Sequence, residues 1–465
     1  MSLDSDFLKK CETEFKSKPE NIIAKNAISS VGSLLTTTNS EKVNKINHIF
    51  LNSVKRKHVV ATNQGASGRC WMFASLNTFR HVLINALDLE NFEFSETYLF
   101  FWDKLERSNY FIKWMIDNRH LSIKEKEFEY MISDYMGDGG FWSDFANLVN
   151  KYGVVPLSAM KETYQSDDTE EMNRIIRERL ESTVNYIRKK EKIDFENLRL
   201  KTVQNIYDIL VKFLGEPPKK FDWSFIVDEE PSTITKNTPM DFLNMVMPGL
   251  DMNEDFIVLS NLPMKNYTRY RVRLTSNMVN GKDMEIFNVP IHDMEKYAME
   301  SISQGVAVWF ACDVRQHLNI FHGTLDDTLN DYEIVFGKTF PFNKEERILL
   351  GNVRGCHAMA LTGFNMNEKG ITNWQVENSW GYIDKETEGM DGFLTMSASW
   401  FRKYVTEIVV SKNFLTRSFL KKLEKSELVE IDPWDNGTPT KKYPIQKFYP
   451  ELILKNKNRK KLKLE

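Results

Sequence analysis

Apolar residues recur along this chain in two rhythms, one helical and one alternating or short-run. Positions 7–15 and 42–54 carry them along one side of a predicted amphipathic helix. From Cys70 onward the apolar and small positions Phe73, Ala74, Leu76, Asn77, Phe79, Val82 and Leu83 predict a helix that starts near the cysteine. Met172, Ile175, Ile176, Leu180, Val184 and Ile187 fall three or four apart among many charges, and positions 203–213 repeat the pattern, so the middle of the chain predicts further helices. Five short runs, 307–312, 357–364, 373–378, 392–397 and 405–410, predict strands of a twisted antiparallel sheet. Neither internal repeats nor low-complexity segments interrupt this order of helices first and strands later.

The chemistry sits where those elements begin and end. Gln64 lies six residues before Cys70, in Gln64-Gly65-Ala66-Ser67-Gly68-Arg69-Cys70-Trp71, so a side-chain amide and the cysteine's own backbone N–H can converge on one developing oxyanion. His357 and Asn378 follow in the chain order Cys, His, Asn. A thiol of ordinary pKa near ~8.5 is only slightly ionised at pH 7, and a histidine beside it supplies the missing cation. Asn378 then bonds the other imidazole nitrogen and fixes the ring, while Trp380 shields that bond from water. Each residue alone has a plainer reading. A single cysteine on an apolar helix is usually a buried small hydrophobe. The other seven of the eight histidines lack a comparable context. Gly139-Gly140 reads either as an ordinary turn after Asp138 or as a backbone edge that a peptide approaches closely.

Taken together, Gln64 to Ala74, the segment 94–104, Gly137-Asp138-Gly139-Gly140-Phe141-Trp142, Lys151-Tyr152-Gly153, positions 307–314 and 376–381 resemble the papain superfamily, and within it the bleomycin hydrolases and bacterial aminopeptidases C. The likeness runs from about position 7 to 435. It implies an α+β, papain-like two-lobed fold, with a helical lobe, an antiparallel sheet or barrel lobe and a helical insertion used for oligomerisation. The corresponding division is 1–165 for the N-terminal region and nucleophile lobe, 166–280 for the mainly helical insertion, 281–415 for the β lobe with His357 and Asn378, and 416–465 for a C-terminal arm. It also implies an intracellular cysteine aminopeptidase acting on peptides, assembled as a homohexamer, with Cys70, His357, Asn378 and Gln64 catalytic and Gly139, Gly140 and Trp380 contacting substrate. No metal or organic cofactor is called for.

Bulk properties narrow the remaining classes. At 465 residues the chain is longer than one core usually organises, which predicts more than one lobe. Cys11, Cys70, Cys312 and Cys356 are scattered without CxxC pairs, so neither a disulfide framework nor a structural zinc site is expected. Secreted papain relatives carry a further cysteine where Ser67 stands, and the amino-terminal stretch has neither a signal-peptide core nor transit-peptide bias. A cytoplasmic setting without membrane partners is the expectation. Family members end soon after a Trp-Asp-Pro segment, and their terminal carboxylate restricts them to aminopeptidase cleavage. Here Trp434-Asp435 is followed by residues 436–465. Positions 438–465 carry nine basic and two acidic residues, a formal +7 that leaves −10 on the rest of a chain of net charge −3. That tail opens two alternatives, endopeptidase activity and nucleic-acid binding on a papain-like scaffold; the acidic body weighs against the second.

Overall fold

The structure, a computed structural model, describes residues 2–54, 60–227, 230–381, 392–435 and 437–439. The helix that opens at the cysteine, Cys70–Ala86, is buried on nearly every side, from Cys70 through His81 and again at Leu83 and Ile84. A helix buried all round is central, and its polar members Arg80 and His81 find their partner inside, at Glu377. It packs on the strands His357–Asn367 and Val308–Cys312 and against the helices Glu96–Asp117 and Trp142–Tyr152. Ser95 caps the first of those two helices by accepting the Tyr98 backbone N–H at 3.1 Å. The two insertion helices expected from the charge-rich periodicity run Glu170–Arg188 and Phe195–Leu214, and both lie along Glu96–Asp117. After them the chain forms an antiparallel hairpin, Phe221–Val227 with Glu230–Asn237, whose Trp223 packs edge-on against Phe92 and Phe242.

The main sheet is twelve-stranded and largely antiparallel. Val308–Cys312 lies between His357–Asn367 on one side and Val405–Ser411 on the other, and His357–Asn367 continues to Gly370–Glu377 and then Phe393–Ser397. All five residues of Val308–Cys312 are buried, which is why that strand reads as an unbroken apolar run. An aromatic cluster joins the two halves of the molecule: Phe79, Trp142 and Phe145 from helices meet Phe256 and Trp309 from strands at ring separations of 5.2–6.4 Å. Burying one such ring contributes on the order of 2–3 kcal/mol, and the seam between the lobes is part of one continuous core.

Two local expectations need amendment. The helix predicted over 42–54 is limited to Ser40–Val43. Beyond it the Asn47 side chain accepts the Ile49 backbone N–H, an Asx-type bond that competes with helix, and Asn52–Ser53 pairs with Phe364 and Gly363 at the sheet. Sheet pairing outweighs the helical pattern there. Conversely, Pro19–Thr37 is helical, with non-helical backbone at Gly32, although its mixed polar and apolar order gives a weak amphipathic signal. Among the described residues no helix is long and apolar enough to cross a membrane. The basic tail from position 440 onward lies outside the described residues.

Candidate active site

Cys70 is the first residue of its helix, and Arg69 before it makes no side-chain cap. The helix therefore presents uncapped N–H groups and the positive end of its dipole at the sulfur. Burial pushes the Cys70 thiol up to about 11, against the backbone N–H groups of Ala358, Trp71 and Cys70 itself, which favour the thiolate. The Ala358 contact brings the sulfur to the strand position immediately after His357. His357, buried at the start of its strand, donates through Nε2 to Asn378 Oδ1 at 2.8 Å. With Asn378 Oδ1 as acceptor, Nε2 carries the proton, and Nδ1 is left without a partner among the described residues. Burial also holds the imidazole down to about 4, although the Asn378 bond favours its charged form.

Burial disfavours a lone charge on either group, so each needs the other's opposite charge to ionise. Moving the proton from sulfur to Nδ1 creates both charges at once, and the two groups then titrate as a pair. The indole of Trp380 lies over the imidazole, ring centres 4.9 Å apart and tilted by 31°. Its neighbours are tied across the cleft: Gln64 N–H donates to Ser379 O at 2.8 Å and Gly381 N–H to Thr62 O at 2.9 Å.

Gln64 is fixed at both ends of its amide. Ser379 Oγ donates to Oε1 at 2.6 Å, and Nε2 donates to Ser67 O at 2.6 Å, which leaves one N–H for a ligand. Gly65 has φ +61°, and a Cβ there would stand 2.2 Å from Asp167 Oδ1, so this turn requires glycine. Gly140 is excluded from bearing a side chain for a different reason: its Cβ would lie 2.4 Å from the Trp71 ring. Gly139, before it, is partly exposed in a segment without regular structure. Gly140 thus lies against the residue that follows Cys70.

Several residues that hold this arrangement escaped the sequence reading. Asp138, read above as a turn residue, is buried; it pairs with Lys104 at 2.7 Å, accepts from Thr169 Oγ1, Asn173 Nδ2 and Gly68 N–H, and its backbone carbonyl accepts Trp71 Nε1 at 2.7 Å. Burial works against its charge, but Lys104 and the hydrogen bonds prevail and hold the carboxyl down to about 2. Lys104, with desolvation its largest influence, is pushed below the usual lysine range. Arg69, fully buried, forks onto Glu162 at 3.0 and 2.8 Å and donates to Ser67 Oγ at 2.8 Å, so it braces the loop that carries Gln64. Glu377, directly before Asn378, takes His81 Nε2 at 2.5 Å and Arg80 at 3.4 Å. That contact fastens the far side of the cysteine helix to the asparagine strand. The available signal was the placement of charged residues next to the reactive positions, in segments otherwise apolar. Among the described residues no group of three His, Cys, Asp or Glu side chains is placed to hold a metal ion.

The structure thus brings His357 and Asn378 into hydrogen-bond contact and sets the Cys70 sulfur against the backbone of Ala358. The pattern of the Peptidase C1-like family matches residues 2–437. The chain belongs to that family. It is 34% identical to aminopeptidase C of Listeria monocytogenes over 91% of this chain and 95% of that protein, and 33% identical to bleomycin hydrolase of Homo sapiens over the same shares. The crystal structure of PepW from Lactobacillus rhamnosis HN001 superposes with a TM-score of 0.87 at 29% identity, covering 94% of this chain and 98% of that one. The α+β papain-like fold expected from the sequence is therefore the fold of the family.

Proposed function

We propose that this chain is a cysteine-type aminopeptidase that trims peptides, with Cys70, His357, Asn378 and Gln64 as its catalytic residues and Gly139, Gly140 and Trp380 beside the bound substrate. The observation that carries this reading is the His357–Asn378 bond, which leaves Nδ1 as the nitrogen able to accept a proton while the Cys70 sulfur lies at the next backbone position. In the first step the Cys70 proton passes to His357 Nδ1 and a C–S bond forms to the peptide carbonyl. The resulting oxyanion is held by the Cys70 N–H and the spare N–H of Gln64. His357 returns the proton to the departing amine as the C–N bond breaks. Water then attacks the thioester with His357 as base, the C–S bond breaks and the thiol is restored.

The names of the relatives, aminopeptidase C and bleomycin hydrolase, support peptide or amide substrates. We read 1–165 as the lobe with the nucleophile, 166–280 as the insertion, 281–415 as the lobe with the base, and 416–465 as the arm. A homo-oligomer, a hexamer by family resemblance, agrees with the Ser5–Lys16 helix, which buries no side chain and exposes Phe7, Leu8 and Phe15; a cytoplasmic setting rests on the family resemblance alone. Matched peptides with free and acetylated amino termini test the exopeptidase part. The free peptide is expected to turn over about 10-fold faster or more, with measurable cleavage of the acetylated one. Equal or faster turnover of the acetylated peptide would reassign the enzyme as an endopeptidase, and no turnover of either would overturn the peptidase reading.

A further inference from the structure

The helix that begins at Cys70 carries more than the sulfur. Asn77, Arg80 and His81 stand three and four residues apart, on one face of Cys70–Ala86, and all three side chains are buried. Asn77 donates through Nδ2 to Thr62 Oγ1 at 2.9 Å, and Arg80 donates to Val60 O at 3.1 Å and to Phe92 O at 2.7 Å. This face therefore grips the backbone run that leads into Gln64. It also holds the buried carboxylate of Glu377, which takes His81 Nε2 at 2.5 Å and Arg80 Nη1 at 3.4 Å. His81 Nδ1 has no partner among the described residues, so the hydrogen bonding of that ring is directed to Glu377.

Asn378 depends on its flanks because its own amide is held on one side only. Oδ1 accepts His357 Nε2–H at 2.8 Å and the Ser379 backbone N–H at 2.8 Å. Nδ2 is buried and has no partner among the described residues. The His357 bond cannot anchor the amide, since the imidazole is the group to be oriented. The direction of the amide is therefore set by the backbone on either side of it. After Asn378, the bonds from Gln64 N–H to Ser379 O and from Gly381 N–H to Thr62 O tie the chain to the Gln64 run. Before it, Glu377 closes its strand, in register with Ala360 and Phe393, and its carboxylate ties that end to the cysteine helix.

We infer that Glu377 is a positioning residue for the His357–Asn378 pair, acting through the bond that His81 supplies. Nucleophile and orienting amide are then referred to one rigid element, Cys70 at the start of the helix and His81 about three turns further on. A carboxylate suits the task, because it accepts from two donors at once and its bonds are shorter and stronger than those of a neutral acceptor. A displacement of about 1 Å in a reacting group costs on the order of 100-fold in rate, which sets the scale of the effect. The inference rests on the Cys70–His357 reading of the site and is independent of whether single residues or longer pieces are removed.

The test compares the full chain with Glu377→Gln, His81→Leu and His81→Gln. One readout is kcat and KM on unblocked Arg-aminomethylcoumarin. The other is the pH dependence of Cys70 alkylation by iodoacetamide, a neutral reagent that needs no substrate site. Glu377→Gln and His81→Leu are expected to lower kcat by about 10- to 100-fold with KM little changed. Both should also move the acid limb of alkylation toward that of an isolated thiol, near ~8.5. His81→Gln, whose amide N–H has about the reach of imidazole Nε2, is expected to restore kcat and the limb toward the parent. The two His81 variants decide by themselves if Glu377→Gln does not fold. Variants that lose thermal stability yet keep kcat per folded molecule and an unshifted limb overturn the inference. So does a His81→Gln as slow as His81→Leu, or failure of all three variants to fold. A parent enzyme whose Cys70 already alkylates as an isolated thiol overturns the Cys70–His357 reading itself, and the inference with it.

Discussion

Cys70→Ala is expected to lower kcat/KM for peptide substrates by roughly five to six orders of magnitude while leaving the protein folded. The reason is that the remaining residues cannot substitute for a nucleophile. His357 can move a proton and Gln64 can stabilise an oxyanion, but neither shortens the uncatalysed attack of water into two easier steps. Removing one sulfur atom from a nine-tenths buried site costs only about 1 kcal/mol of packing, so rate and thermal unfolding should separate cleanly. A variant that unfolds in parallel with its loss of rate would instead place Cys70 in the core, the plainer reading of an isolated cysteine. Substantial turnover by a folded Cys70→Ala would falsify the mechanism.

The second large effect falls on stability. Asp138→Ala leaves the Lys104 ammonium buried without its carboxylate and strips Gly68, Thr169 and Asn173 of an acceptor. Removing one member of a buried pair costs about 3–5 kcal/mol, measurable as a lowered midpoint in denaturant. The pH dependence has a defined sign. The folded-state pKa of Asp138 is depressed from 3.8 to about 2, so its contribution is present in full above pH 3.8 and lost as pH falls through 2. As far as the titration of Asp138 itself goes, the stability difference between the parent chain and Asp138→Asn should therefore narrow on acidification only below about pH 4. A gap that closes already near pH 6 would show that Asp138 is not held in its charged form.

The residues proposed as catalytic stand out in sequence because each is marked locally. Gln64 and Cys70 are separated by one short loop, the apolar spacing after Cys70 announces a helix starting at the sulfur, and His357 and Asn378 open and close predicted strands. What was not legible depends on partners far away in the chain. Asp138 looks like a turn former until Lys104, Thr169 and Asn173 surround it; Arg69 looks like a solvent-facing cation until Glu162 meets it; Glu377 has no meaning before His81 and Arg80 arrive from the cysteine helix. Local propensity failed for a related reason at 42–54, where an edge of the sheet claimed a segment that reads as helix.

The central claim is that Cys70 is a nucleophile activated by His357. Treating the native protein at neutral pH with a peptidyl epoxide, and locating the adduct by peptide mass, tests it most directly. The expected result is one adduct per chain, on Cys70, with rate loss proportional to labelling, and slow labelling of folded His357→Ala. Reaction at exposed Cys11 or at Cys356 with Cys70 untouched, or full activity after Cys70 is modified, would contradict it.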